Sequence, residues 1–349
     1  MNILFLALFS ISLPAYAIHG NHLPASENPP QVCKLSIQLD TITDGRRLIC
    51  SATLLTPSGL VTAAHCLDPK EWKANKILSI DVACDGLEPI PAVLTVDNEI
   101  SRGIITELQK TEPFKGLAGT RFYEGWDLAE DGSRAMLVPN DVGFVALSKP
   151  IPQDKIPTMA MRRVFDTKEE LEANFAKYPN LPRESAMLTR DYFNLIERGE
   201  CRISGFGISS EDPNSIGKAH YTAEAPYPRY VYSSKWVSKI AESSHILIGE
   251  PAIEATVQRY RIPKNQSPIG KNLENKFDHG DSGGSFYCRT SPTSDWILVG
   301  IISQLSDKTE TKVQGFSQFI TPPQYLPNWK FLVNSANAWN RYMKATYKP

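Results

Sequence analysis

The chain has 349 residues, with 37 Lys and Arg against 38 Asp and Glu, a formal net charge of −1, 42% hydrophobic and 21% charged residues; this suits a globular protein of two domains or of one unit in two halves. Near-neutrality removes the electrostatic basis for binding nucleic acid or an anionic membrane. The 26 prolines and 21 glycines are scattered, which excludes a collagen-like repeat, and no apolar run reaches the ~18–20 residues of a membrane span.

In chain order, the first predicted element is a signal peptide over residues 1–17. Ile3 to Leu13 is apolar but for Ser10 and Ser12, Pro14 breaks the run, and Ala15-Tyr16-Ala17 supplies a small-x-small cleavage pattern. Export, secreted or periplasmic, fits the six cysteines: Cys33, Cys50, Cys66, Cys84, Cys201 and Cys288 are even in number, with no CxxC pair to suggest zinc or redox chemistry. Three disulfides are expected. Short strands follow at 33–39, at 47–55 after the turn Thr43-Asp44-Gly45, and at 60–62 after Pro57-Ser58-Gly59. Residues 106–139 read as an inserted loop. Residues 166–178 predict a helix with Asp166 or Thr167 as N-cap and glutamates in the first turn. Strand patterns return at 201–205, 285–288, 296–303 and 316–320. A C-terminal helix over about 328–344 carries Trp329, Leu332, Val333, Ala336, Trp339 and Met343 on one stripe, with Asn328 as N-cap. Many short strands, frequent turns and one terminal helix predict an all-β barrel architecture.

Three segments carry chemistry. His279-Gly280-Asp281-Ser282-Gly283-Gly284 puts a serine in a tight, glycine-flanked turn whose N–H groups can face a substrate carbonyl. Thr62-Ala63-Ala64-His65-Cys66 supplies a histidine, and Asp141-Val142-Gly143-Phe144-Val145-Ala146-Leu147 opens an apolar strand with a carboxylate. A serine hydroxyl is a poor nucleophile at neutral pH, so a histidine must take its proton during attack and return it to the leaving amine. The carboxylate holds the imidazole in the useful tautomer and stabilises it once charged. Asp127 and Asp131 compete for that role; Asp141 is preferred for the apolar strand behind it.

In the order His, Asp, Ser, with these contexts, the chain resembles the chymotrypsin/trypsin-like serine peptidase family from Ile18 to the C-terminal helix. Ile18-His19-Gly20-Asn21 is similar to the mature amino terminus of that family. Cys201-Arg202-Ile203-Ser204-Gly205-Phe206-Gly207 is similar to its cysteine-to-GWG strand, with Phe206 in place of tryptophan, and 296–303 to the strand beside the bound peptide. The resemblance implies two six-stranded antiparallel β-barrels, about 18–150 and 151–326, a C-terminal α-helix and long inserted loops. It implies a His65-Asp141-Ser282 triad, an oxyanion hole from the N–H groups of Gly280 and Ser282, and a hydrogen bond accepted or donated by Ser303 near Asp141. It also implies disulfides Cys50–Cys66 and Cys201–Cys288, which leaves Cys33–Cys84. An activation pair is implied between the α-ammonium of Ile18 and Asp281. Cleavage after Ala17 would expose Ile18 without a propeptide, so latency would come from a protein inhibitor or a long loop. The pocket-floor position of the family, six before the nucleophile, is Lys276, which would favour an acidic residue before the scissile bond; Leu305 would narrow the pocket entrance.

The chain also departs from the family pattern. Asp278 stands before His279 where a cysteine is usual and no cysteine follows Ser303, so the disulfide that braces the family's specificity pocket is missing. Long intervals place extra chain around 106–139, 163–200 and 222–274, read as surface loops or the short helix above. His19, His22, His220 and His245 have no metal-ligand spacing and read as surface or capping residues; no metal or cofactor is expected. Asn265-Gln266-Ser267 matches a glycosylation acceptor pattern. The expected function is that of a secreted, monomeric serine endopeptidase acting on peptide or protein substrates through an acyl-enzyme, with no nucleic-acid partner. The alternative is a catalytically silent binding protein on the same fold. An esterase-type hydrolase would also carry Gly280-Asp281-Ser282-Gly283-Gly284, but its histidine must follow the serine, and none follows Ser282.

Overall fold

The computed structural model describes residue 18 and residues 22–94, 101–102, 119–123, 141–207, 216–225, 229–232, 245–248, 280–306, 317–321, 323–324 and 326–347. The segment 1–17, His19, Asp127, Asp131, the 265–267 pattern, Lys276, Asp278 and His279 lie outside these residues, as do most of 106–139 and 222–274 and the side chains of His245 and Leu305.

The first half is built on β1 (Val32–Leu39), β2 (Leu48–Thr56), β3 (Gly59–Thr62), β4 (Ile77–Cys84), β5 (Ile90–Pro91), β6 (Ser101–Arg102), β7 (Arg121–Phe122) and β8 (Gly143–Ala146), with a short helix α1 (Ala64–Leu67) after β3. Their order in the sheet is β5-β4-β1-β2-β3-β8-β7-β6. Alternation along β1 puts Cys33, Leu35, Ile37 and Leu39 inward and leaves Lys34, Ser36 and Gln38 part-exposed, the period of a half-buried strand. The run from β5 to β8 curls until Ala92 bridges Leu147, with Val93 N–H donating to Ala146 O (2.7 Å) and Ser148 N–H to Pro91 O (3.0 Å). Strand β2 is buried on both faces: Cys50, Ala52 and Leu54 enter the core of this sheet, and Ser51 and Thr53 are buried on the other side.

The second half begins with a parallel pair, β9 (Arg163–Phe165) and β10 (Ala186–Leu188), carrying helices α2 (Lys168–Lys177) and α3 (Thr189–Arg198). It continues as β11 (Glu200–Gly205), β12 (Tyr221–Glu224), β13 (Arg229–Tyr232), β14 (His245–Ile248), β15 (Ser285–Arg289), β16 (Ile297–Ser306) and β17 (Ser317–Thr321). These last seven form one antiparallel sheet, ordered β12-β11-β15-β16-β17-β14-β13. Thr167 caps α2, its side chain accepting from Glu170 N–H at 3.2 Å, so the N-cap is Thr167 and not Asp166. Helix α3 has no counterpart in the sequence expectation. Tyr192, Leu195 and Ile196 fall at i, i+3 and i+4 and enter the core of the second sheet, so the extra chain of 163–200 holds a core-packed helix beside the expected one.

Helix α4 (Leu326–Thr346) closes the chain. It starts two residues before the expected cap, and Asn328 is a buried residue of its first turn. Its buried face centres on Phe331, Leu332, Ser335, Ala338 and Trp339, whereas Trp329, Val333, Ala336 and Met343 of the expected stripe are only part-buried. Phe331, Leu332 and Trp339 pack with Val61, Phe144 and Ala146 of the first sheet and Tyr287, Leu298 and Ile301 of the second, a third core that joins the halves. The architecture is therefore mostly β, with sheets of eight and seven strands and four α-helices among the described residues. Beside the expected strands and C-terminal helix, α2 and α3 bring apolar faces that are buried in the second half. Among the described residues no helix is long and apolar enough to cross a membrane.

Disulfides join Cys33 to Cys84, Cys50 to Cys66 and Cys201 to Cys288. The first and last link directly paired residues of β1 with β4 and of β11 with β15. The second ties β2 to α1 and so fixes the short helix that carries His65.

Candidate active site

Antiparallel pairing of β3 with β8 sets Thr62 opposite Gly143. The residues just beyond those strand ends, His65 and Asp141, are thereby brought together across 76 residues of sequence. His65 Nδ1 lies 2.8 Å from Asp141 Oδ2, and the His65 backbone N–H donates to Asp141 Oδ1 at 3.0 Å. The carboxylate thus grips the histidine by ring and backbone at once. Ser303 Oγ, from β16, donates to the same Oδ2 at 2.5 Å. Trp72 Nε1 donates to His65 O at 2.8 Å and holds the helix from its other side. Asp141 is 1% exposed and the His65 side chain 13%.

Burial is the largest influence on both groups and opposes charge on each. It is outweighed at His65 by the charge and hydrogen bond of Asp141, with Glu71 adding to them, so the imidazole pKa lies above its ordinary value. It is outweighed at Asp141 by the His65 charge and by hydrogen bonds from the His65 ring, Ser303 and the His65 backbone, so that carboxyl pKa lies below its ordinary value. The pair is built to carry a proton on the ring opposite a permanent anion.

The serine turn comes from the second half, just before β15. Gly280 and Gly283 sit at φ +93° and +82°, conformations that L side chains rarely adopt. A Cβ on Gly283 would lie 2.1 Å from both Ser51 O and Thr62 Oγ1, so only glycine lets the turn close onto β2 and β3. Within the turn, Gly283 N–H donates to Ile302 O and Gly284 N–H to Asp281 O, both at 2.7 Å. The N–H groups of Gly280 and Ser282 find no acceptor among the described residues. Ser51 N–H donates to Ser282 O at 2.8 Å, and Cys66 Sγ lies 3.7 Å from that carbonyl. Ser282 is therefore held beside the helix that carries His65. The Ser282 hydroxyl and the His65 ring are not hydrogen-bonded to each other here; catalytic contacts of this kind often tighten only when substrate is bound.

Ile18 is fully buried, and its backbone nitrogen donates to Asp281 Oδ2 at 3.0 Å. Gly207 N–H donates to the other oxygen, Oδ1, at 2.8 Å. His22, expected at the surface, is part-buried: its Nε2 lies 2.6 Å from Ile18 O and its ring stands 4.6 Å from that of Tyr221. The expectation for His220 is also corrected, since its side chain is 3% exposed. His220 Nδ1 meets Asp85 Oδ2 and its Nε2 meets Ser204 Oγ, each at 2.6 Å. This second carboxylate–imidazole–hydroxyl chain is no site for a substrate. Ser204 is wholly buried, and its hydroxyl also meets Thr222 Oγ1 at 2.8 Å and Tyr221 O at 3.2 Å. The chain joins the first half, through Asp85, to the second.

Among the described residues no group of three or more His, Cys, Asp or Glu is arranged to hold a metal ion. Of the pocket residues expected from sequence, Leu305 is placed only by its backbone, opposite Gln318 in the β16–β17 pairing. Sequence reasoning singles out neither Ser51 nor Trp72. A serine among the mostly apolar residues of a strand, as Ser51 is in β2, is the signal that could have found the first, though Thr53 shares it; for Trp72 there is none. A scan of protein-family models finds no match to this chain, and a search of curated proteins finds no significant match.

Proposed function

We propose that this chain is an exported serine endopeptidase similar to the chymotrypsin/trypsin-like family. Its two halves would be two six-stranded β-barrels, about 18–150 and 151–326, with the site between them. Ser282 Oγ attacks the scissile carbonyl while its proton passes to His65. The proton then goes to the leaving amine, and a water, deprotonated by the same ring, hydrolyses the acyl-enzyme. Asp141 orients the ring and stabilises it when charged. The N–H groups of Gly280 and Ser282 would receive the oxyanion, each worth about 2.7–4 kcal/mol. Cleavage after Ala17 would make Ile18 the amino terminus, whose ammonium would pair with Asp281 and order the turn.

One observation carries this reading. A buried aspartate holds a histidine by ring and backbone, and the Ser282 turn, 141 residues further along, is bonded to Ser51 of β2, the strand tied by disulfide to the helix of His65, with two N–H groups unengaged among the described residues. The test is labelling of the mature protein with a fluorophosphonate probe, followed by peptide hydrolysis. Stoichiometric labelling at Ser282, lost in Ser282→Ala and slowed by orders of magnitude in His65→Ala, is expected. A folded protein that neither labels nor hydrolyses peptides would make it a binding protein on this architecture.

A further inference from the structure

We propose that Ser51 is a positioning residue for the turn that carries Gly280 and Ser282, an inference that rests on reading this turn as the oxyanion site. Ser51 is fully buried at the centre of β2, on the face opposite the first core, and all of its polar atoms are engaged. Its N–H donates to Ser282 O at 2.8 Å, and its carbonyl accepts from Thr62 Oγ1 at 2.7 Å. Its hydroxyl accepts from Phe206 N–H and donates to Gly280 O, each at 2.9 Å. One residue of the first half thus grips the turn at two of its carbonyls and ties it to the segment that follows β11.

The hydroxyl matters because of what Gly280 is. With no Cβ and φ at +93°, Gly280 has a soft backbone. Its carbonyl is the handle by which its torsions, and with them the aim of its own N–H, can be fixed from outside. Among the described residues that handle meets the Ser51 hydroxyl. Alanine at 51 would leave Gly280 O and Phe206 N–H buried without partners, and the turn would relax to satisfy them. A donor misplaced by about 1 Å costs on the order of 10²-fold in rate, and the loss appears where the oxyanion forms and not in ground-state binding.

The experiment compares Ser51→Ala and Ser51→Thr with the wild type in the mature, disulfide-bonded protein, well below each melting midpoint and per mole of folded enzyme. S51A is expected to lose about 10- to 100-fold in kcat with KM within about threefold. It should bind a peptide boronate more weakly by a similar factor, and a non-reactive peptide inhibitor equally well. S51T, which keeps the hydroxyl, should recover most of kcat. If S51A does not fold, Thr62→Val, which removes only the donor to the Ser51 carbonyl, replaces it and should show a smaller loss confined to kcat. A lowered melting midpoint with kcat and boronate affinity unchanged would overturn the inference, as would equal losses in KM. A folded wild type that is inert toward both fluorophosphonate and peptide would instead overturn the reading of the turn itself, and this inference with it.

Discussion

His65 and Asp141 impose opposite demands on pH. The His65 pKa lies above its ordinary 6.5, so the stabilisation it contributes is complete below 6.5 and is lost as pH rises through the folded value. The Asp141 pKa lies below its ordinary 3.8, so its contribution is present above 3.8 and is lost as pH falls through the folded value. The pair therefore stabilises the fold most between those two ordinary values. Catalysis needs the ring neutral, and so begins where the pair's stabilisation starts to fall. The acid limb of kcat/KM should have its midpoint above 6.5. In Asp141→Asn, only the Glu71 charge is left to oppose burial at the ring, so the midpoint should drop while kcat falls about 10⁴-fold, the loss expected of a Ser-His-Asp triad. An unmoved midpoint in a pH–rate profile of that variant would count against the coupling. At this scale the three chemical segments were legible in the sequence because each carries its own context: a half-cystine after His65, an apolar strand after Asp141, glycines around Ser282. Their supports were not. Ser51 acts on Ser282, 231 positions away, and its one local mark is a polar side chain among apolar neighbours, while Trp72 carries no local mark.

Elements are legible where burial is one-sided. The alternation of β1 could be read directly, because one face meets the core and the other meets water, and the start of α2 could be narrowed to Asp166 or Thr167. Strands buried on both faces, such as β2, lose that contrast, and α4 turned because its buried face includes polar Asn328 and Ser335, which an apolar stripe does not count. Helix α3 shows what was overlooked. Tyr192 is fully buried, and its hydroxyl donates to Val299 O at 2.7 Å and lies 3.2 Å from Gln324 Oε1. Gln324 Nε2 in turn donates to Leu298 O at 2.6 Å. The helix is thus bolted to β16, the strand that also presents Ser303 to Asp141. Tyr192→Phe leaves the buried Val299 O short of a donor and should cost about 1–3 kcal/mol. Leu195→Ala should cost about 2–5 kcal/mol. Urea unfolding measures both; a change below 0.5 kcal/mol at either position, within the range of about ±0.5 for surface substitutions, would mean that α3 is decoration after all.

Across the whole molecule, the site is divided between halves that must be held in register. His65 and Asp141 belong to the first; Asp281, Ser282 and Ser303 belong to the second. Ser51, the Asp85–His220–Ser204 chain and Lys34, whose Nζ donates to Gly217 O at 2.8 Å, span the joint. Ile18 is a further clamp. Its nitrogen reaches Asp281 from the start of the chain, 263 residues away in sequence, and Asp281 directly precedes the nucleophile. As the first residue of a mature chain, Ile18 would carry an ammonium there, and a buried pair of this kind costs about 3–5 kcal/mol to break by removing one partner. At about 1.4 kcal/mol per tenfold, that is enough to depopulate the ordered turn by 10²-fold or more. Two proteins should be compared, one beginning at Ile18 and one with a Met before it. Both should form the three disulfides and melt cooperatively, since Ile18 is one of many residues in the second core. The extended protein has no charge to place against Asp281, so its turn should be loosened. Peptide hydrolysis and fluorophosphonate labelling should fall together by about 10²-fold or more. Equal rates in the two proteins, or an exported form that begins well beyond Ile18, would show that the turn is ordered without the amino terminus.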